Sequence, residues 1–364
     1  MTTRRNLLTG TSLLGAGLMA GLAQAKTEKK KLGVALLGLG HYSRELLAPG
    51  LQLTQHCELR GIVTGTPSKA VEWQQKYQLK PSNIYSYDNM HKLASNPDID
   101  VVYIVTPTYL HERYSIAAAN AGKHVWCEKP MAMTVQECQN IINACQKNKV
   151  KLSIGYRLQH EPNTQTVIGY AESKPFGAIK SVIAEAGYAG NGSENPLHWR
   201  MDITRGGGAI YDMGVYPINA ARYATGLEPI AISAKHVTKR PELFIRCDEA
   251  TEFTLEFPGG ITAKCECNVG KNINQLKVTA ENGWYELTPM QSYTNVRGQT
   301  SEGLMLDKTV VHQQAKQMDD DALAIIEDKD VLVPGSEGLM DIRVVLGALE
   351  SARHGGKRVV LPKV

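Results

Sequence analysis

Outside its first few residues the chain lacks an excess of charge of either sign. Of 364 residues, 40 are Lys or Arg and 36 are Asp or Glu, a formal net charge of +4. Two of the positive charges are Arg4 and Arg5, and the rest are interspersed with acids. Neither nucleic acid nor an anionic membrane surface is therefore indicated as a partner. Metal-ligand clusters are lacking as well. The seven cysteines are Cys57, Cys127, Cys138, Cys145, Cys247, Cys265 and Cys267. Only the last two are closely spaced, and they alternate in a strand-like segment with no further ligands beside them. No metal site is expected, and the cysteines read as small buried or half-buried residues. Internal repeats, low-complexity runs and long linkers are absent too.

A membrane-spanning run is also missing. The one extended apolar stretch, Leu7 to Leu22, is interrupted by Gly, Thr and Ser too often for a stable span. It follows Arg4-Arg5 and precedes Ala23-Gln24-Ala25, so residues 1–25 read as a cleavable export signal. The segment Thr3-Arg4-Arg5-Asn6-Leu7-Leu8 is similar to the twin-arginine motif. That route carries folded proteins, so a periplasmic protein that is free of the membrane after cleavage is expected. Folding before export also argues against a disulfide framework.

What remains is long enough for two domains. From Lys31 to about Tyr156, short apolar runs alternate with helical stretches. The runs are 33–38, 59–63, 100–105, 124–127 and 151–155; the helical candidates lie near 43–53, 67–77, 88–95, 109–121 and 134–148. This rhythm predicts a doubly wound parallel sheet of the Rossmann type over 31–155. After Tyr156 the segments lengthen and alternate: 179–186, 230–237, 252–257, 260–269, 275–280 and 283–287. With turns such as Pro258-Gly259-Gly260 between them, they predict a predominantly antiparallel sheet over 156–364. Its helices are expected near 162–172, 311–327 and 337–354, with two more inserted near 206–225. The fold class is thus α/β followed by α+β, and the cleft between the two parts is the expected ligand site.

Gly38-Leu39-Gly40-His41-Tyr42-Ser43 follows the first strand and opens a helix. Gly38 permits the tight turn, and Gly40 lets the backbone approach a pyrophosphate on the helix N-terminus. The context indicates dinucleotide binding. An NAD site wants an acid at the end of the second strand, on the ribose 2′-hydroxyl. Here that place reads Val63-Thr64-Gly65-Thr66-Pro67-Ser68-Lys69, with hydroxyls and a lysine but no carboxylate. NADP is therefore expected over NAD.

Two further segments suggest chemistry. Glu128-Lys129-Pro130 follows the 124–127 strand, whose carboxyl end faces the cofactor crevice in such sheets. The other is Gly206-Gly-Gly-Ala-Ile-Tyr211-Asp212-Met-Gly-Val-Tyr216. On a helix over 209–224, Asp212 and Tyr216 would share a face as i and i+4, and the three glycines would allow close approach to a ligand. Oxidising a sugar hydroxyl needs its proton removed as hydride leaves carbon. A tyrosine serves as that base when a nearby ammonium favours the phenolate. Lys129 is the expected ammonium, Asp212 the orienting group and Tyr216 the acid–base.

These motifs resemble the Gfo/Idh/MocA oxidoreductase family over nearly all of residues 31–364. Further matching segments are Gly155-Tyr156-Arg157, Trp199-Arg200, Arg222-Tyr223 and 334–343. Many members carry His where Tyr216 stands; the periplasmic glucose–fructose oxidoreductase branch carries Tyr, as here. The resemblance implies an open-faced second sheet that mediates homo-oligomer contacts. It also implies that Thr64, Gly65 and Lys69 hold the 2′-phosphate and that Tyr87 lies near the adenosine half. Thr106, Thr108, His111, Glu128, Lys129, Arg157, Trp199, Arg200 and Tyr293 would line the cofactor. The implied activity is oxidation of an aldose at its anomeric carbon by tightly held NADP, which then reduces a second sugar. That branch has a long arm after its signal, covering a neighbouring subunit's adenine. Only Lys26 to Lys31 stand in its place, so the arm is expected to be missing. Two other readings use the same fold: a glycosidase with transient NAD redox, and a non-catalytic cofactor-dependent sensor. Thr64 to Lys69 and Tyr216 weigh against the first, and the Lys129–Asp212–Tyr216 set against the second.

Overall fold

The computed structural model describes residues 31–190 and 195–363. The export segment expected over 1–25 lies outside them. The first sheet has six strands: β1 (Leu32–Leu37), β2 (Cys57–Val63), β3 (Ile84–Tyr85), β4 (Val101–Ile104), β5 (His124–Cys127) and β6 (Leu152–Ile154). All pair in parallel, in the order β3-β2-β1-β4-β5-β6. The chain leaves β1 towards one edge and returns beside it as β4, so the strand order reverses between these two. In such sheets the crevice at that point, at the carboxyl ends, takes the ligand.

β1 is buried at every position, as a central strand covered on both faces requires. Its alternate residues feed two cores: Ala35 and Leu37 on one face, Val34 and Leu36 on the other. The expected strands all form. β3 was not anticipated, because two residues carry no periodicity to read. The expected 43–53 helix begins as a π-helical turn, Ser43–Leu47, and continues as α1 (Ala48–Leu51). Ala48 N–H bonds the Ser43 carbonyl one residue beyond α-helical register, just ahead of Pro49, which has no N–H of its own. α2 (Pro67–Tyr77), α3 (His111–Asn120) and α4 (Val135–Lys147) follow their predicted positions. The 88–95 candidate is instead a 3₁₀ run, Tyr87–Ser95, closed by a Ser86–Asn89 capping box.

α5 (Pro162–Ser173) leads into the second sheet. Its strands are β7 (Ile179–Ala189), β8 (Ala231–Val237), β9 (Ala250–Glu256), β10 (Thr262–Asn268), β11 (Gly270–Ala280) and β12 (Trp284–Leu287). Three short pieces complete it: β13 (Gly298–Thr300), β14 (Met305–Leu306) and β15 (Val359–Val360). The order is β14-β13-β12-β11-β7-β10-β9-β8-β15, antiparallel except where β7 meets β10. One face buries Val182, Ala184, Cys265 and Cys267; the other leaves Ile183 and Lys264 exposed. All seven cysteines are free thiols; six are buried and Cys247 is half-buried, the placement expected of them.

α6 (Ala209–Asp212) and α7 (Val215–Thr225) are inserted between β7 and β8. After β14, α8 (Gln313–Ile326) returns to the first sheet, with Met318 and Ala322 in the core beside Val34 and Leu36. Its Asp319 carboxylate accepts the Gln55 and His56 N–H groups. α9 (Gly335–Arg353) packs along β8.

Candidate active site

A cleft of about 1240 Å³ opens at the carboxyl ends of the first sheet, walled on its far side by α6, α7 and the 289–297 loop. Every site residue singled out from the sequence lines it, from Gly38 to Tyr293.

The glycine loop is built as a tight turn. Gly38 has φ +95°, and a Cβ there would stand 2.6 Å from the Val105 carbonyl oxygen. A Cβ on Gly40 would meet nothing within 4 Å, so the space above this backbone is open to a ligand. Ser43, in place of the usual small apolar third residue, is fully buried and donates to the Gly38 carbonyl at 2.5 Å. Lys69 Nζ donates to the Leu39 carbonyl at 3.0 Å, which ties the β2 end to the loop. Tyr87 packs its ring where a Gly65 Cβ would be and stacks on Tyr114, centroids 4.9 Å apart. This cradle fits a dinucleotide: open backbone at Gly40, a lysine at the β2 end, and no carboxylate from Thr64 to Lys69.

Glu128 sits beneath the cleft floor. Its Oε1 accepts the Tyr103 hydroxyl at 2.7 Å, and Gln317 on α8 donates to that hydroxyl at 3.2 Å. A Cβ at Gly155 would be 2.6 Å from the same carboxylate oxygen, so only glycine fits there. Burial pushes the Glu128 carboxyl up, opposed by Tyr103 and Lys129. His111 opens α3 with its ring buried between two carbonyls, Pro130 at 2.9 Å and Thr106 at 2.8 Å. Burial lowers its pKa. A neutral ring has one N–H and so donates to only one of these two carbonyls.

Lys129 carries the centre of the site. Its Nζ donates to the Asp212 carbonyl oxygen at 3.0 Å, lies 3.8 Å from Asp212 Oδ1 and stands 4.6 Å from the Tyr216 ring centroid. Burial alone would lower this ammonium, but Tyr216, Asp212 and Glu128 together hold it above an ordinary lysine. Burial would likewise raise Asp212, yet Arg200 and Lys129 hold it below the usual aspartate range. Arg200 Nε is 3.5 Å from Asp212 Oδ2, and its guanidinium covers Trp199 at 4.4 Å. Arg157 is buried against two tyrosine rings, Tyr293 at 4.6 Å and Tyr216 at 5.7 Å.

Two expectations are corrected. Asp212 and Tyr216 do not share one continuous helix: Asp212 ends α6, and Met213-Gly214 break the run before α7. The break is tight, since a Gly214 Cβ would lie 2.3 Å from the Ile210 carbonyl oxygen. The three glycines also serve the protein and not a ligand. Added Cβ atoms at Gly206, Gly207 and Gly208 would strike Thr108, the Arg200 carbonyl and the Asp248 carboxylate. Among the cleft residues that went unanticipated are Pro107 after β4, Tyr188 at the end of β7, and Gln291 and Ser292 beside Tyr293. Tyr188 has the parity of the buried Val182, Ala184 and Ala186 on β7, yet it is exposed at the strand end, and nothing local says that it faces the cleft. Gln291 is held by a reciprocal pair of bonds with Asn274 of β11, at 2.6 and 2.9 Å.

Comparison with known proteins agrees with this architecture. Residues 32–156 match the family model described as an oxidoreductase family with an NAD-binding Rossmann fold. Residues 164–286 match the GFO/IDH/MocA C-terminal domain. Among solved structures, an aldose–aldose oxidoreductase from Caulobacter crescentus, complexed with glycerol, is 34% identical with a TM-score of 0.85, over 91% of this chain and 100% of that one. A D-xylose 1-dehydrogenase [NADP(+)] from Haloarcula marismortui is 26% identical over 87% of this chain and 90% of its own length. A levoglucosan dehydrogenase solved with NADH and levoglucosan shares the fold, at 22% identity and a TM-score of 0.77 over 92% of this chain and 100% of its own. With both halves matched and a third of the residues shared end to end with a solved relative, the chain belongs to the Gfo/Idh/MocA family of oxidoreductases.

Proposed function

We propose that this enzyme is an NADP-dependent sugar oxidoreductase that oxidises an aldose at its anomeric carbon and returns the hydride to a second sugar. The observation that carries the reading is the convergence on Lys129. One half-buried ammonium touches both Asp212 and the Tyr216 ring, in the same cleft as the glycine loop. The aldose–aldose and NADP-xylose relatives support the substrate class.

The cradle from Gly38 to Lys69 would hold the cofactor, with Thr64, Gly65 and Lys69 at the 2′-phosphate. A bound nicotinamide supplies the hydride acceptor and donor. Tyr216 takes the proton of the reacting hydroxyl during oxidation and gives one back to the carbonyl oxygen during reduction. Lys129, kept as an ammonium by its neighbours, stabilises negative charge on that phenol oxygen. Asp212 holds the lysine in place through its carbonyl oxygen. Arg157 and Glu128 shape the cleft floor around the bound cofactor.

The reading extends to export through the twin-arginine route and to a homo-oligomer joined by the open face of the second sheet. The test is direct. The mature protein is purified from periplasm and its bound nucleotide identified by mass spectrometry. A panel of aldoses is added, followed by a chase of ketoses and aldoses, while nicotinamide absorbance is followed. NADP that is reduced by an aldose and reoxidised by a second sugar is the expected result. A nucleotide-free protein whose spectrum responds to no sugar would overturn the proposal.

A further inference from the structure

Asp212 closes a helix of only four residues, α6, and a helix that short has no stability of its own. Yet the last carbonyl of α6 fixes Lys129. Tyr211 ties its far side to the Met133 carbonyl at 2.8 Å, and one residue outside the cleft takes its first two amides. The Asp248 main-chain oxygen accepts the Ala209 N–H at 3.0 Å, and its Oδ2 accepts the Ile210 N–H at 2.8 Å. The first two amides of α6 thus end on a single side of β9's entry. Asp248 is 4% exposed.

The anchor is itself braced. Thr251 donates its hydroxyl proton to Asp248 Oδ2 at 2.7 Å. Having used that proton, Thr251 Oγ1 accepts from His236 Nδ1 at 2.8 Å, which fixes the imidazole tautomer. The remaining carboxylate oxygen, Oδ1, is buried without a hydrogen-bond partner and faces Gly208, where a Cβ would stand 2.2 Å away. A buried carboxylate with one oxygen unpaired is a costly way to cap four residues. Precise placement of what those residues carry is a reason to retain it.

We propose that Asp248 is a positioning residue for the reaction: it sets the depth and rotation of α6, and through Asp212 the place of Lys129 against Tyr216. The inference rests on the roles given above to Lys129, Asp212 and Tyr216. Near-attack geometry is steep enough that a displacement of about 1 Å costs roughly 100-fold in rate.

The experiment uses the full mature chain with its cofactor and three variants: Asp248→Ala, Asp248→Asn and Thr251→Val. Two quantities are read: kcat and KM for a turned-over aldose, and acetylation of Lys129 by limiting acetic anhydride. The labelling is measured by mass spectrometry against the exposed lysines. In Asp248→Ala, Lys129 labelling rises severalfold and kcat falls about 10- to 100-fold, with KM and cofactor affinity within about twofold. Asp248→Asn keeps an acceptor for Ile210 and recovers most of kcat. Unchanged labelling or unchanged kcat in folded Asp248→Ala overturns the proposal. If that variant does not fold, Thr251→Val decides: a smaller change in the same direction in both quantities supports it, and wild-type values overturn it. A wild type inert towards every sugar, with labelling still raised in Asp248→Ala, removes the catalytic reading and leaves the anchoring. Unchanged labelling beside an active wild type removes the anchoring alone.

Discussion

The two walls of the cleft reach the same centre by different means. On the first-sheet wall, each residue stands at the end of a strand or the start of a helix. Gly38 and Gly40 follow β1, Thr64 follows β2, and Glu128 and Lys129 follow β5. A regular parallel sheet delivers all of them to one edge. On the opposite wall Tyr216 opens α7, but Asp212 and Tyr293 ride on short pieces, α6 and the 289–297 loop, each pinned from a distance. Asp248 pins α6 and Asn274 pins Gln291. Even the glycines differ in use. A Cβ on Gly40 points into open space, whereas one on Gly208 would strike a carboxylate. The first wall leaves Gly40 to the ligand, whereas the second uses Gly206 to Gly208 for its own packing.

The sharpest test joins the two walls at Tyr216. Tyr216→Phe keeps the ring under Lys129 and removes only the acid–base oxygen. It is expected to lower turnover about 10²- to 10⁴-fold while cofactor affinity, measured by fluorescence titration, stays at the wild-type value. Turnover near wild type would remove Tyr216 from its role. Next comes a paired substitution that breaks the comparison from both sides. Gly208→Ala is expected to cost about 2–4 kcal/mol in denaturant unfolding, since its φ of +89° and the Asp248 contact both oppose a side chain. Gly40→Ala is expected to leave stability within about 0.5 kcal/mol and to weaken cofactor binding. A stable Gly208→Ala protein would erase the distinction.

A third prediction concerns how the first wall is braced by α8. Burial pushes the Asp321 carboxyl up to about 6. The folded state then keeps a proton that the unfolded chain has lost, so stability falls as pH rises from about 4 to about 6. Its share of the loss is on the order of 1–3 kcal/mol by urea unfolding, and Asp321→Asn should make the slope shallower, leaving the part due to the buried Asp341 carboxyl, which burial pushes up to about 7. A slope unchanged in the variant would place its origin elsewhere. The smallest effect is expected at the β2 end. Thr66→Asp puts an acid where none stands and should shift the ratio of NADP to NAD affinity towards NAD by about tenfold. An unchanged ratio would mean that this stretch does not meet the 2′ position.

The first wall was largely legible in the sequence, because strand, glycine turn and helix follow one another within a few residues. Lys129 was visible from its place after β5, and Asp212 and Tyr216 from the glycine-rich segment. The geometry joining them was not. Four residues of spacing suggested one helix, and the structure broke it at Met213-Gly214, where Gly214 lies against the Ile210 carbonyl. Asp248, Gln317 and Gln291 left no readable signal. Each meets residues far away in the chain, through one or two hydrogen bonds.

By itself the sequence determined the alternation of strands and helices, the glycine turn, the missing acid at Thr64 to Lys69 and the identities of the reactive side chains. These are local properties, set by backbone freedom, periodicity and side-chain chemistry. Only the tertiary structure decided that the Lys129 ammonium rests on the Asp212 carbonyl and not first on its carboxylate, and that α6 hangs from Asp248. A four-residue helix has too few internal bonds to place itself, so its position belongs to whatever it is tied to.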